Sequence, residues 1–370
     1  MSQKNSYYVA QSYKNNQRIK EILRELPLVC QDYFRSISQT KSPLTRLAYA
    51  YDLRLFFQYL CDERVSFANS SPELLTAEDI AQITARDIEG FQDYLIQYAK
   101  KPEDLNDTVS KRNSSPVFVQ NGALGIMRKL SSLRAFFDYL FKNELVSANV
   151  ATLVELPKKK SKPILYMEDD EVQKMIDAVI SYDGLSEKQK QYAKTTKNRD
   201  LAILMLFLGT GIRVSELVGL DVSSIDFEKN SFVVTRKGGN QTILYFSDQV
   251  KNVLKRYYNE RITIEPLPGH ENALFLSLQK RRMTTRAVGN MVKKYALIGA
   301  PLKKKLSPHK LRSTFGTNLY QETGDIYLVA DTLGHSDVNT TRRHYAAMSD
   351  QHKREASKRI PLPDINDTES

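Results

Sequence analysis

The sequence predicts a multidomain, mainly α-helical protein: an all-helical first half, then a mostly helical second half holding one small three-stranded antiparallel sheet. Three observations predict it. Apolar residues recur at three- and four-residue intervals in long segments on both sides of residue 156. A lysine run bracketed by prolines, LPKKKSKP (Leu156–Pro163), divides those segments, because proline blocks helix and the charges keep the chain in water. Only in SSIDFEKNSFVVTRKGGNQTILYFS does the pattern change to short β-prone runs separated by turn residues.

Residues 1 to 40 read as a polar, tyrosine-rich arm with one amphipathic piece at Ile19–Cys30. In TRLAYAYDLRLFFQYL, Tyr49, Leu53, Phe56, Phe57 and Leu60 fall on one helical face. A second helix is expected over Ala85–Ala99, burying Ile88, Phe91, Tyr94, Leu95 and Tyr98, and Lys100–Pro116 reads as a polar loop. A further helix over Gly122–Lys142 turns Ile126, Leu130, Leu133, Phe136, Phe137 and Leu140 inward. Past the linker, Met167–Ile180 reads as a helix with carboxylates in its first turn, as the helix dipole favours. LAILMLFL (Leu201–Leu208) is apolar on every side and so belongs in a core, and the GTG at 209–211 ends it. A short helix starts near Arg213, and the three strands turn at Glu228–Asn230 and Lys237–Asn240. Helices follow at Asp248–Arg261, Thr284–Ile298, Pro308–Gln321, Ile326–Leu333 and from Val338 onward.

Composition narrows the classes of function. The 54 Lys+Arg against 43 Asp+Glu give a net charge of +11, which favours a polyanionic partner through counterion release. Charge alone does not separate DNA from RNA, anionic lipid or simple basic solubility. No stretch approaches the roughly 20 apolar residues of a membrane span, and the polar first residues do not read as a secretion signal. Cys30 and Cys61 have neither metal-site nor disulfide-scaffold spacing, so a reducing cytoplasm is the expected compartment.

The residues that carry chemistry come in a fixed order. Arg213, in TGIRVSEL, follows a double-glycine break and sits at the positive end of a helix, where a cation is unfavourable unless an anion is shared. Glu216, three residues on, is its natural intrahelical partner, and that pair alone is the plain alternative. Lys237 occupies the hairpin turn TRKGGN, whose glycines let the tip reach a groove and deliver a proton. In SPHKLR, Ser307 is positioned to cap a helix, Pro308 suits its first residue, His309 and Arg312 share a face, and Leu311 points to the core. Arginine offers a planar fork for two phosphate oxygens, and histidine a proton near neutral pH. His335 closes TLGH, and Tyr345 follows it by ten residues. His335 and His344 lack a carboxylate or cysteine at ligand spacing, so no metal is expected, and no cofactor is implied.

Tyr345 is one of 20 tyrosines, and only its company gives it meaning. A phenol of pKa about 10 attacks at neutral pH only beside cations or a base. The expelled sugar oxygen needs a general acid, and two arginines can take the charge that metals carry in other phosphoryl-transfer enzymes.

With that order in place (Arg213, Lys237, His309 with Arg312, His335, Tyr345), the chain resembles the tyrosine recombinase (phage integrase-like) family, including Xer-type recombinases, over about residues 198 to 359. The resemblance implies a domain layout: an arm at 1–40, a helical core-binding (SAM-like) DNA-binding domain at 41–155, a basic linker at 156–165, a catalytic domain at 166–348, and a tail at 349–370 that docks on a neighbouring subunit. It implies a C-shaped clamp on double-stranded DNA with paired recombination half-sites, and attack by Tyr345 giving a 3′-phosphotyrosyl intermediate and a free 5′-hydroxyl. Exchange would pass through a Holliday junction in a tetrameric synapse, of one chain or mixed with a paralogue, without metal or ATP, in the cytoplasm at the nucleoid. Arg46, Arg128, Lys129 and Arg134 in the first domain, and Thr284, Arg286 and Lys304 in the second, are the expected DNA contacts. The interval from His335 to Tyr345 is one residue longer than in many Xer-type members and matches integrases of mobile elements, so it leans toward integration and excision over Xer-type dimer resolution. Two rival functions share the fold or the chemistry: a non-catalytic sequence-specific DNA-binding regulator, and a type IB topoisomerase.

Overall fold

The structure is a computed structural model that describes residues 7–68, 70–100, 117–158, 165–236, 239–303, 306–334 and 337–339. It divides into two compact units, Met1–Ser161 and Lys162–Ser370, so the break falls inside LPKKKSKP. Among the described residues no helix is long and apolar enough to cross a membrane.

The first unit is helical. α1 (Tyr7–Leu23) and α2 (Leu28–Ser36) precede α3 (Pro43–Glu63), which starts where the Ser42 hydroxyl accepts from the Thr45 N–H at 3.2 Å. α4 (Ala77–Ala81) and α5 (Ala85–Ile96) follow; Thr76 and Asp79 cap α4 reciprocally, and at α5 Asp87 accepts from the Thr84 N–H at 2.7 Å. α6 (Ala123–Lys142) closes the core. The rings of Phe56, Phe57, Phe91, Phe136 and Phe137 are fully buried and meet edge-on, with Phe56 to Phe91 at 5.1 Å and Phe57 to Phe136 at 5.9 Å between centroids. Each such side chain contributes about 1.5–3 kcal/mol on burial. These are the inward positions that helical spacing predicts.

Two expectations change here. The segment expected as an arm is packed into this core: Ile19, Ile22, Leu26, Cys30, Tyr33 and Phe34 are buried, and α1 lies along α3. Its polar average hides an apolar stripe at helical spacing. The helix expected to reach Ala99 stops at Ile96, and the unit is not wholly α. β1 (Gln97–Lys100) pairs antiparallel with β2 (Val117–Gln120), Tyr98 opposite Val119. Tyr98 is buried as expected, stacked on Tyr94 at 5.1 Å, but from a strand. Residues 101–116, the expected polar loop, lie outside the described residues.

In the second unit α7 (Asp169–Ser181) carries Asp169, Asp170 and Glu171 in its first turn, and Glu171 accepts from the Glu168 N–H at 2.8 Å. α8 (Glu187–Thr210) is much longer than its apolar run, because its first half is a solvated, lysine-rich stretch capped by Ser186. Its second half is central: Leu201 to Leu204, Leu206 and Phe207 are buried, and α8 packs on α10 and α12. Gly211 ends it in the left-handed conformation, φ +60°. α9 (Val214–Gly219) leads to β3 (Ile225–Asp226), β4 (Ser231–Thr235) and β5 (Gln241–Tyr245), one antiparallel sheet in that order. Val233 faces Ile243 across the register. α10 (Asp248–Arg261), α11 (Thr285–Gly299), α12 (Pro308–Thr323) and α13 (Ile326–Leu333) follow among the described residues, close to their predicted limits. Phe315 and Leu319 of α12 pack against Val329 and Leu333, which fixes where α13 ends. The helix expected from Val338 falls outside the described residues from residue 340 on.

Candidate active site

The C-terminal end of α13 organises the site. The last carbonyls of a helix have no intrahelical partner and carry the negative end of the dipole, so they attract cations. Here arginines from three other elements take them.

Arg213 stands immediately before α9. Its backbone N–H donates to Glu216 Oε2 at 2.9 Å and its Nη1 to Glu216 Oε1 at 2.7 Å. The pair expected from the sequence therefore exists, with the Glu216 side chain only 4% exposed. It is not the whole arrangement. Arg213 Nη2 donates to the carbonyls of Leu333 at 3.1 Å and Gly334 at 2.8 Å.

Arg312 comes from the second turn of α12 and is 5% exposed. Its Nη1 donates to the Gly211 carbonyl at 2.5 Å and its Nη2 to the Leu333 carbonyl. Gly211 is required there twice over. Its φ of +60° suits glycine, and an added Cβ would collide with Phe315 and lie 2.9 Å from Leu333 Cδ2. Arg236, at the end of β4, is the third: its Nη2 donates to the Thr332 carbonyl at 3.1 Å.

Two guanidinium groups thus share one acceptor, the Leu333 carbonyl, and a third stands one carbonyl away. Glu216 is the carboxylate paired with Arg213. Like charges held this close are costly unless an anion completes the set. Planar guanidinium forks match two oxygens of a phosphoryl group.

The rest of SPHKLR is partly as expected. Pro308 opens α12 and Leu311 is fully buried, but the Ser307 side chain makes no capping bond; its carbonyl instead accepts from Lys310 and Leu311. His309 is exposed in the first turn of α12, one turn before buried Arg312. Lys237, His335, Tyr345 and Lys304 lie outside the described residues, although Arg236 and Gly334 directly precede the first two. The sequence reading passed over Arg236 and treated Gly211 only as a helix stop. The signal was the basic residue beside Lys237.

The residues expected to touch a partner are mostly engaged within their own unit. Arg128 holds the buried Asp52 with both terminal nitrogens, Nη2 to Oδ1 at 2.7 Å. Burial still pushes the Asp52 carboxyl above the usual range, against the pull of Arg128. Arg134 donates to the carbonyls of Ala151 at 3.1 Å and Val154 at 2.7 Å. Arg46 donates to Asn16 at 2.9 Å and Lys129 to Asn121 at 3.0 Å. The Thr284 hydroxyl caps α11 by accepting from Ala287, and Arg286 is exposed in its first turn.

Residues 166–352 match the model of the phage integrase family. The chain belongs to that family. Among its relatives is the tyrosine recombinase XerC of Caldanaerobacter subterraneus subsp. tengcongensis, 31% identical over 335 residues, covering 90% of this chain and 85% of that protein. The tyrosine recombinase XerS of Streptococcus uberis is 27% identical over 363 residues, covering 92% and 98%. In fold, the chain is similar to the Tn1549 transposon integrase solved in complex with circular intermediate DNA, with a TM-score of 0.60, 21% identity, and coverage of 89% and 99%. This phage integrase family member is therefore a tyrosine recombinase, an enzyme of site-specific recombination, and its mainly helical fold with a small three-stranded sheet is the family's.

Proposed function

We propose that this recombinase cleaves and rejoins duplex DNA by attack of Tyr345 on a scissile phosphate held by Arg213 and Arg312. The observation that carries this reading is the shared Leu333 carbonyl, which draws the guanidinium groups of Arg213 and Arg312 together. A phosphodiester is the anion whose oxygens two such planar forks match.

The Tyr345 phenol gives its proton to a histidine base, His335 or His309, as its oxygen forms a bond to phosphorus, and the bond from phosphorus to the 5′-oxygen breaks. The leaving oxygen takes its proton from the Lys237 ammonium, giving a free 5′-hydroxyl and a 3′-phosphotyrosyl end. Arg213 and Arg312 stabilise the non-bridging oxygens as charge builds, where one well-placed donor is worth about 10²–10³ in rate. His309 and His335 contribute hydrogen bonds or protons at the same phosphate. The bond energy stays in the protein–DNA link, so rejoining by a partner strand's 5′-hydroxyl needs no ATP. Repeated on paired half-sites in a tetramer, this exchanges strands through a Holliday junction.

The near end-to-end correspondence with XerS, over 92% of this chain and 98% of that protein, supports Xer-type dimer resolution. The longer interval between His335 and Tyr345 supports integration and excision of a mobile element. The DNA trapped on the protein in cells decides: one chromosomal site means resolution, and element ends mean integration.

The test of the chemistry is a nicked suicide duplex carrying the site. Wild type is expected to form a covalent adduct, and Tyr345→Phe to bind without forming one. Tight specific binding without adduct would make the protein a regulator. Relaxation of any supercoiled plasmid by the protein alone would make it a type IB topoisomerase.

A further inference from the structure

Arg236 is the last residue before Lys237, and Gly334 the last before His335. The structure joins these two positions. The Arg236 backbone closes the hairpin turn at its base: its N–H donates to the Asn240 carbonyl at 2.8 Å, and its carbonyl accepts from the Gly239 N–H at 3.1 Å. Its side chain leaves the hairpin and reaches the end of α13, where Nη2 donates to the Thr332 carbonyl at 3.1 Å.

The guanidinium also lies close against Gly334. A Cβ built on Gly334 would be 3.0 Å from Arg236 Nε and would overlap Cζ and Nη1. Gly334 adopts φ +59°, so this position is restricted to glycine by backbone and by neighbour alike. Arg236 Nε is buried and has no hydrogen-bond partner among the described residues. An unmade bond of that kind is costly, and the side chain is held in spite of it by the Nη2 bond to Thr332 and the contact with Gly334.

We propose that Arg236 is a positioning residue that fastens the Lys237 turn to the end of α13, and so aims the Lys237 ammonium at the leaving 5′-oxygen. One side chain then sets the spacing between the two loops from which Lys237 and His335 issue. This rests on the reading of Lys237 as the proton donor.

The test compares single-turnover cleavage of two suicide duplexes, one with the ordinary 5′-oxygen leaving group and one with sulfur bridging phosphorus and the 5′-carbon. A thiolate leaves without a proton, so the sulfur substrate bypasses the general acid. Lys237→Ala and Arg236→Ala are both expected to slow oxygen cleavage, Arg236→Ala by about 100-fold, the scale of a misplaced catalytic group. Both are expected to recover the wild-type rate on sulfur. Arg236→Lys, which keeps the charge and loses the guanidinium contact with Gly334, is expected to fall between on oxygen and to recover on sulfur. Thermal melting of each variant separates loss of aim from loss of fold, and Arg236→Lys carries the comparison if Arg236→Ala does not fold. If Lys237→Ala recovers on sulfur while both Arg236 variants stay slow, Arg236 acts on the phosphate or on the fold, and the proposal is overturned. If Lys237→Ala itself stays slow on sulfur, the reading of Lys237 as the acid fails and takes the proposal with it.

Discussion

Replacing Gly211 by alanine separates the cost of its conformation from the cost of its crowding. At φ +60°, an alanine pays about 1–2 kcal/mol for the left-handed region. The new methyl also collides with Phe315 and stands 2.9 Å from Leu333, both packed side chains, which adds about 1–3 kcal/mol of overpacking. The sum of about 2–5 kcal/mol corresponds to roughly 5–15 °C in a unit of this size. Gly269 is the internal control, with φ +83° and nothing within 4 Å of an added Cβ, so Gly269→Ala should cost only the first part. Calorimetry of the full chain reads both. Because the Gly211 carbonyl holds Arg312 Nη1 at 2.5 Å, Gly211→Ala should also slow adduct formation, by about 100-fold for a displacement of an ångström, while Gly269→Ala should not. Equal destabilisation by the two variants, or unchanged cleavage by Gly211→Ala, would refute the claim that this glycine is fitted to the site.

Three other outcomes follow from particular contacts. Arg312→Ala should lower stability by about 2–4 kcal/mol, since two carbonyls in a buried site lose a charged donor, whereas Arg213→Ala, on a more exposed side chain, should cost less. Both should reduce single-turnover cleavage about 10²–10³-fold; denaturant melts beside cleavage rates check the split. Arg134→Ala should lose about 1–3 kcal/mol in urea unfolding with no change in DNA affinity once folded, because its donors serve Ala151 and Val154. Asp52 has a folded-state pKa raised by burial, so the native state binds its proton more tightly than the unfolded chain does. The sign is then fixed: wild type should gain stability relative to Asp52→Asn as pH falls from neutral through that pKa. Urea midpoints followed from pH 7 down to the ordinary aspartate range, about 3.9, read it, and a gap that stays constant or moves the other way contradicts the assignment.

The helices that build both cores were legible because Phe56, Phe91, Phe136 and the run at Leu201–Phe207 repeat at helical spacing, and periodicity reports burial directly. The same rule found only the piece at Ile19–Cys30 of α1 and α2, whose other buried residues are diluted by polar neighbours, and it missed β1 and β2, which are too short to show alternation. The order of arginine, lysine, histidine and tyrosine was readable as chemistry because side-chain identity carries it. What gathers Arg213, Arg312 and Arg236 was not readable, since the acceptors are the backbone carbonyls of Gly211, Thr332, Leu333 and Gly334, which every residue possesses. For the same reason Arg128 and Arg134 looked like surface cations. Their partners, Asp52 and two carbonyls, are brought to them only by the fold.

The most direct test of the central claim is to map the covalent adduct on a suicide duplex, formed in the presence of a chelator and without nucleotide. The account predicts one modified residue, Tyr345, joined to a 3′-phosphate, with a free 5′-hydroxyl on the released strand. Linkage through another residue, a 5′-phosphate bond, or an adduct that disappears with the chelator would contradict it.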